Sequence, residues 1–579
     1  MFDHPGSERS GIDLVLRGGR LHTFDARQPV AEAIAIQGNR IHAVGSNRDI
    51  STLIESNTRV IELAGRTVLP GLTDGHAHLD REGLKSLLPS LAGLNSIHAL
   101  KARINALARA YGPQDWLVTM PLGSAPEFRW SPDMYLEQRL PDRHDLDEAA
   151  PDVPVLIRCA WGYWSGQQPL LSIANSKALS LAGIDASTIP PTDLIQIEKD
   201  KTGALTGRIF EHALQPIAEF TLFRTAPHFS AADRRDTLLA SMQAYNAFGT
   251  TAIFEGHGVS SEVIDAYKTS LAKGQSTVRA RLVFSQGFSQ ADTGDVAAWV
   301  RRESSRLAGK AHDAWPDWLS VSGLFSEPET QPREALLRAH CASGTGWAGF
   351  HYDCALPREK LIQLLHAAAI EGLRVCTIQM PMLKLIQEAT RGIAIDHLRW
   401  VIAHPAAIDA EQIATLRDLG IVITTLSSAY IWKRGLSTLK QIGAARENEI
   451  LPMRNLLQAG VPVCLATDNV PVSLWPSISH VVERTDRQTG TVVSPDQRIS
   501  VEQALRCVTV DGAWLCGDEN KRGTLTEGKL ADMVVLPRDP LTVDGTELAS
   551  LWAELTIVDG EIKFDREVNA QPTRQNVTL

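Results

Sequence analysis

Residues 398–426, LRWVIAHPAAIDAEQIATLRDLGIVITTL, contain one complete structural unit. LRWVIAH (398–404) is a short apolar run that ends in a polar residue. DAEQIATLRDLG (409–420) spaces its apolar residues as a helix does, and GIVITTL (420–426) is a second apolar run. A strand, a helix and a strand in that order imply parallel strands joined by a right-handed crossover.

The pattern continues on both sides. TTAIFEG (250–256) precedes SSEVIDAYKTSLAKG, GLRVCTIQ (372–379) precedes PMLKLIQEATRG, and VPVCLATD (461–468) closes the set. Repeated units over residues 67–518 predict an α/β fold of the (β/α)8 barrel type, which typically needs ~250 residues. The excess fits an insertion at about 110–225, where the Pro-rich and Trp-rich sequence WSPDMYLEQRLPDRHDLDEAAPDVP (130–154) lies.

The two ends read differently. LVLRGGRLHTF (14–24), AEAIAIQGNRIHAVGS (31–46) and TRVIEL (58–63) are β-rich runs broken by turn residues, and GKLADMVVL (528–536) and LTIVDGEIKF (555–564) repeat the style. Isolated hairpins are marginal in water. Residues 1–66 and 519–579 are therefore expected to combine into one small β-sandwich.

Composition limits the function. Lys and Arg number 57 against 67 Asp and Glu, a net charge of −10. This acidity argues against a protein built to bind nucleic acid or an anionic membrane. The seven cysteines form no CxxC pattern and no disulfide framework. No apolar run approaches the ~18 residues of a membrane span, and the polar start lacks the order of a secretory signal. A cytoplasmic protein acting on a small molecule is the expectation.

The chemistry is carried by polar residues at strand ends, where barrels place their active sites. In LPGLTDGHAHLD (69–80) a β-run ends in His76-Ala77-His78. Residues i and i+2 of an extended chain share a face, so the two imidazoles can meet one cation. The bland alternative is a pair of solvent-facing histidines. Asp468 ends the last apolar run. It can ligate a metal or move a proton, or it can cap the next helix, although Pro471 spoils a clean cap. His404 ends LRWVIAH and shares the strand-end placement. Glu255 and His257 end TTAIFEGHG and are candidates for an additional ligand, for holding a ligand histidine, or for substrate contact. Gln379 cannot match histidine as a metal ligand and would more naturally touch substrate. The run CAWGYW (159–164) could wall an apolar pocket or belong to a core.

Together these blocks resemble the amidohydrolase superfamily, in its N-substituted formamide deformylase-like branch (amidohydrolase family 3). LVLRGGRLHTFD and IAIQGNRIHAVGS resemble its opening sheet, and LPGLTDGHAHLD its first barrel strand. DLDEAAPDVPVLIR, NSKAL and GALTGRIFEHAL resemble internal blocks of that branch. VIAHPAAID and ATDNVP resemble its sixth- and eighth-strand motifs, and GTLTEGKLADMVVL its closing segment. The resemblance implies a distorted (β/α)8 barrel with a two-termini β-sandwich. It also implies hydrolysis of an amide, formamide or related C–N bond by metal-activated water. His76, His78, His404 and Asp468 fall on metal-site positions, and Asp468 is the implied proton carrier.

The chain departs from the family at three places. Relatives with two metals bridge them with a lysine on the fourth strand; here LSVSGLFSEP (319–328) has none, and no lysine occurs between Lys310 and Lys360. The fifth-strand histidine of relatives is replaced at TIQMPM by Gln379. A histidine that precedes the NSKAL-like block in relatives is absent, leaving Tyr163 or Trp164 to replace it. These departures point to one divalent metal per chain, zinc first, with Mn or Fe acceptable to the same donors. Two other readings stay open: a single-metal deaminase of a heterocycle, and a catalytically retired binding or regulatory protein. The resemblance also allows a homodimer.

Overall fold

The computed structural model describes residues 11–165, 167–213, 216–288, 295–307, 315–329, 349, 351, 354–425 and 427–569. Its centre is an eight-stranded parallel sheet. The strands are β1 Leu72–Asp74, β2 Thr250–Val259, β3 Arg279–Ser285, β4 Leu319–Phe325, β5 Val375–Ile378, β6 Val401–Ala403, β7 Val422–Thr425 and β8 Val463–Leu465. They pair in sequence order from β1 to β8, each parallel to the next, as in the register Ile402 opposite Ile423.

The sheet curls into an incompletely closed barrel. β1 and β8 meet without a regular ladder, through Gly75 N donating to Leu465 O at 3.0 Å and Asp468 N donating to His76 O at 2.9 Å. Gly75 permits this approach: a Cβ there would lie 2.6 Å from Cys464 Sγ.

Strand alternation builds the interior. One buried residue from each of β2 to β8, from Phe254 through Val401 to Cys464, fills the barrel. The neighbouring residues Ile253, Ile402 and Val463 face the surrounding helices. Helices Ser261–Ala272, Arg358–Ile370 and Ala410–Asp418 are among those crossovers. The last is fixed by a capping box in which the Asp409 side chain accepts from Gln412 N and the Gln412 side chain accepts from Asp409 N.

Both chain ends build two further sheets. One holds four strands between Leu14 and Glu62; the other joins Arg20–His22, Val30–Ala31 and Thr67–Pro70 to Met533–Leu536, Leu555–Val558 and Glu561–Asp565. Val68 lies opposite Val535, and Leu16, Ile36, Val68 and Met533 share one core. Pro70 ends a strand of this assembly and Leu72 starts β1, so these sheets deliver the chain directly to the first barrel strand.

Between β1 and β2 stands a separate five-stranded sheet spanning residues 117–211. Its alternating residues feed two cores, Leu156 and Ile209 on one face and Val155 and Ile173 on the other. Among the described residues no helix is long and apolar enough to cross a membrane.

Buried charge ties these parts together. Arg279 at the start of β3 is fully buried and makes bonds of 2.7 and 2.9 Å to the Asp532 carboxylate and 2.8 Å to Asp559. Removing one partner of such a pair leaves an uncompensated charge in the interior. Arg279→Met should therefore lower unfolding free energy by roughly 3–5 kcal/mol, as read from urea denaturation.

Glu211 in the inserted sheet is fully buried and accepts from the amides of Ile217 and Ala218. Burial pushes it from its ordinary 4.5 up to about 7. An acid raised in the folded state contributes stability that is complete below its unfolded value and lost as pH rises through the folded one. Comparing urea midpoints from about pH 4 to about pH 8, Glu211→Gln should gain about 3 kcal/mol on the parent chain. A constant difference would refute the assignment.

Candidate metal centre

β1 and β8 end in short segments that grip one another. The Asp74 carboxylate is buried and accepts from His76 N at 3.0 Å, from Thr467 N at 3.1 Å and from the Thr467 hydroxyl. Burial pushes Asp74 up to about 7. Asn469 closes the other side: its Oδ1 accepts from His78 N at 2.9 Å, and its Nδ2 donates to His78 O. The His-x-His pair and Asp468 are thus held face to face by backbone and side chain alike.

The imidazoles converge from β1, β2 and β6. His404 Nε2 lies 3.2 Å from His76 Nε2 and 2.8 Å from His257 Nε2. His78 Nε2 lies 2.9 Å from Asp468 Oδ1, and His76 Nε2 lies 3.9 Å from the same oxygen. The rings of His76, His78 and His257 stand edge to face, with centroids 4.9–5.2 Å apart. One ligand atom from each of these three lies within 4.8 Å of the others.

Burial sets their protonation. It pushes His76, His78 and His257 well below the ordinary imidazole value, and neighbouring charges add to the effect. His404 is lowered too, burial outweighing the Asp468 carboxylate. The rings are therefore neutral at pH 7 and carry lone pairs. Several such nitrogens in near contact, beside a carboxylate, form a donor set that one divalent cation satisfies.

Glu255 and His257 show how β2 serves both sides of this cluster. Strict alternation would put the two on one face. The pairing of β2 with β3 loses register between Glu255 and Val259, and such an irregularity re-aims side chains. His257 joins the cluster and stacks on Phe325. Glu255 lies behind it, accepting from Leu79 N and Tyr267 Oη at 3.0 Å each. Its other oxygen is 3.3 Å from His78 Nδ1, close but not aligned as a hydrogen bond. Burial raises its carboxyl well above the usual range.

The cluster opens into a cavity of about 350 Å³. Gln379 lines it without joining the imidazoles' contacts, and Trp161 of the inserted segment lines it too. The Tyr163 side chain lies outside the described residues, and Trp164 is buried in the core of the inserted sheet. Sequence reasoning passes over three lining residues, Arg81, Tyr430 and Arg434. It also passes over Asp74 and Asn469, although both lie inside the recognised motifs.

Residues 59–564 match the profile described as "Amidohydrolase family", family 3. The chain belongs to amidohydrolase family 3. It is 27% identical to an N-substituted formamide deformylase of Arthrobacter pascens, over 96% of this chain and 98% of that protein. It is 24% identical to the putative amidohydrolase YtcJ of Bacillus subtilis, over 95% and 99%. Among solved structures, uncharacterized metal-dependent hydrolases of Pyrococcus furiosus and Pyrococcus horikoshii share the fold. Their TM-scores are 0.63 and 0.64 at 18% identity, and they cover 91% and 92% of this chain and 100% and 99% of theirs.

A buried His76/His78/His257 site in an amidohydrolase fold is that of a metal-dependent hydrolase, and it suits metal-activated hydrolysis of a C–N bond. This amidohydrolase carries no lysine on β4, and its β5 ends at Gln379. The third imidazole of its triad comes from β2 instead.

The ring of His76 presses its Nδ1 edge against the backbone of β2. A Cβ at Gly256 would lie 2.0 Å from that atom, so only glycine lets the ring stand where it does. Gly256→Ala should leave the fold intact but weaken zinc affinity at least tenfold in competition with a chelating dye. Unchanged affinity would show that His76 does not hold the ion.

Proposed function

We propose that the protein hydrolyses the C–N bond of a small amide or formamide with one divalent metal per chain. The carrying observation is the cluster of neutral Nε2 atoms closing on Asp468 at the floor of an open cavity. The kinship with a formamide deformylase supports the choice of bond.

In this reading His76, His78 and His257 hold the ion, with His404 and Asp468 completing its surroundings. Zinc is the first choice for a donor set dominated by imidazole. An ion held there would supply Lewis acidity towards water and the scissile carbonyl. The chain's own residues supply the rest. Asp468 has its side chain 16% exposed, open enough to meet a reactant. Its carboxylate takes the proton of the attacking water and returns it to the leaving nitrogen. The Glu255 carboxyl stands behind the His78 ring, 3.3 Å from its Nδ1, and the Asp74–Thr467 bonds keep the Asp468 backbone in place. Trp161 walls the side on which the amine or acyl substituent would lie. Cys159, Cys376, Cys464, Cys507 and Cys516 are buried free thiols, which supports a cytoplasmic site of action.

Asp468→Asn should keep the bound metal and lower kcat by roughly 10²–10⁴. The assay follows amine release from N-substituted formamides and simple amides before and after chelation. Turnover that survives chelation, or survives in Asp468→Asn, would contradict the mechanism. Release of ammonia from heterocycles with no amide hydrolysis would favour a deaminase.

A further inference from the structure

The cavity above the imidazoles is lined by two guanidinium groups whose surroundings differ. Arg81 is buried, over the Trp161 ring, and the carboxylates of Asp80, Asp468 and Glu255 act on it. Arg434 is half-buried at the cavity wall. Among the described residues its side chain makes no hydrogen bond and no ion pair. Glu127, on the inserted segment, is already held by Arg487 at 2.6 Å to each oxygen and by Lys433 at 3.3 Å.

The backbone places Arg434 with some care. Ser428–Lys433 after β7 is a single wide π-helical turn, a form uncommon outside functional sites. Tyr430 and Arg434, about one such turn apart, line the metal-site cavity, whereas Trp432 and Lys433 face a different cavity. The turn therefore presents one cation, without a partner among the described residues, to the space where a substrate would sit.

We propose that Arg434 is the anchor for a carboxylate on the substrate, so that the protein acts on a small amide bearing a free carboxylate. A guanidinium fork matches a planar carboxylate bidentately. A single unpaired cation calls for a single negative charge, which favours a carboxylate over a phosphate. The Ile378, Pro381 and Pro405 lining of the same cavity would take the remainder of such a molecule. The bond that is cut rests on the hydrolase reading above; the carboxylate site does not.

The test is binding, measured by titration calorimetry on the metal-containing protein. The probes are N-formylglycine and N-formylphenylalanine beside their methyl esters, which differ only in the charge. The parent protein should bind at least one acid tenfold or more tighter than its ester. Arg434→Gln should bring the acid down to the ester's affinity, and Arg434→Lys should fall between. Equal affinity for acid and ester, or binding of neither, would overturn the proposal. So would a preference that survives Arg434→Gln, because the carboxylate would then sit elsewhere, on the metal for example. A carboxylate preference that Arg434→Gln removes, without turnover of any amide, would leave this inference standing and reject the hydrolase reading.

Discussion

The site depends on the seam where the barrel closes. Asp74 and Thr467 lie 393 residues apart, yet their bonds join the first and last strands at the level of the imidazoles. Asp468 N donates to His76 O, and Asn469 grips both the N and the O of His78. No regular ladder sets the register at this seam, so two backbone bonds and the buried side chains set it together. A ligand cluster needs placement to a few tenths of an ångström, and here that precision comes from buried carboxylate and amide groups with few other ways to be satisfied.

The strand ends carry a matching strain. Gln379, His404, Asp468 and Asn469 all hold left-handed backbone, with φ of 67°, 60°, 53° and 63°. Non-glycine residues adopt that region at a cost of order 1–3 kcal/mol each. It recurs at the ends of β5, β6 and β8, turning side chains over the barrel mouth. Gln379 shares the conformation although it has no imidazole to contribute. The position after β5 thus shares the backbone form of its neighbours but offers an amide in place of an imidazole, and β2 supplies a histidine through a local loss of register.

Much of this was legible in the sequence. Five barrel strands stand out as apolar runs ending in a polar residue, and the His-x-His and Asp468 motifs mark the first and last. β3 does not stand out, because RARLVFS begins with two arginines. The structure explains them: Arg279 and Arg281 are buried against Asp532 and Asp518 and tie the barrel to the C-terminal segment. Those partners lie more than 230 residues away, and no local pattern announces them. His257 was legible as a candidate additional ligand beside Glu255, but the choice between the two depends on the irregularity in β2. Arg434 has no motif at all. Its meaning lies in its place on the cavity wall without a partner among the described residues, which only the assembled cavity reveals.

The central claim is that neutral imidazoles from β1 and β2 hold a single metal ion. X-ray absorption at the zinc edge of the zinc-loaded protein tests it directly. The account predicts a first shell containing at least three imidazole nitrogens at about 2.0–2.1 Å, with no metal–metal vector. A second metal at about 3.5–4 Å, or a shell of oxygen donors without imidazole, would contradict it.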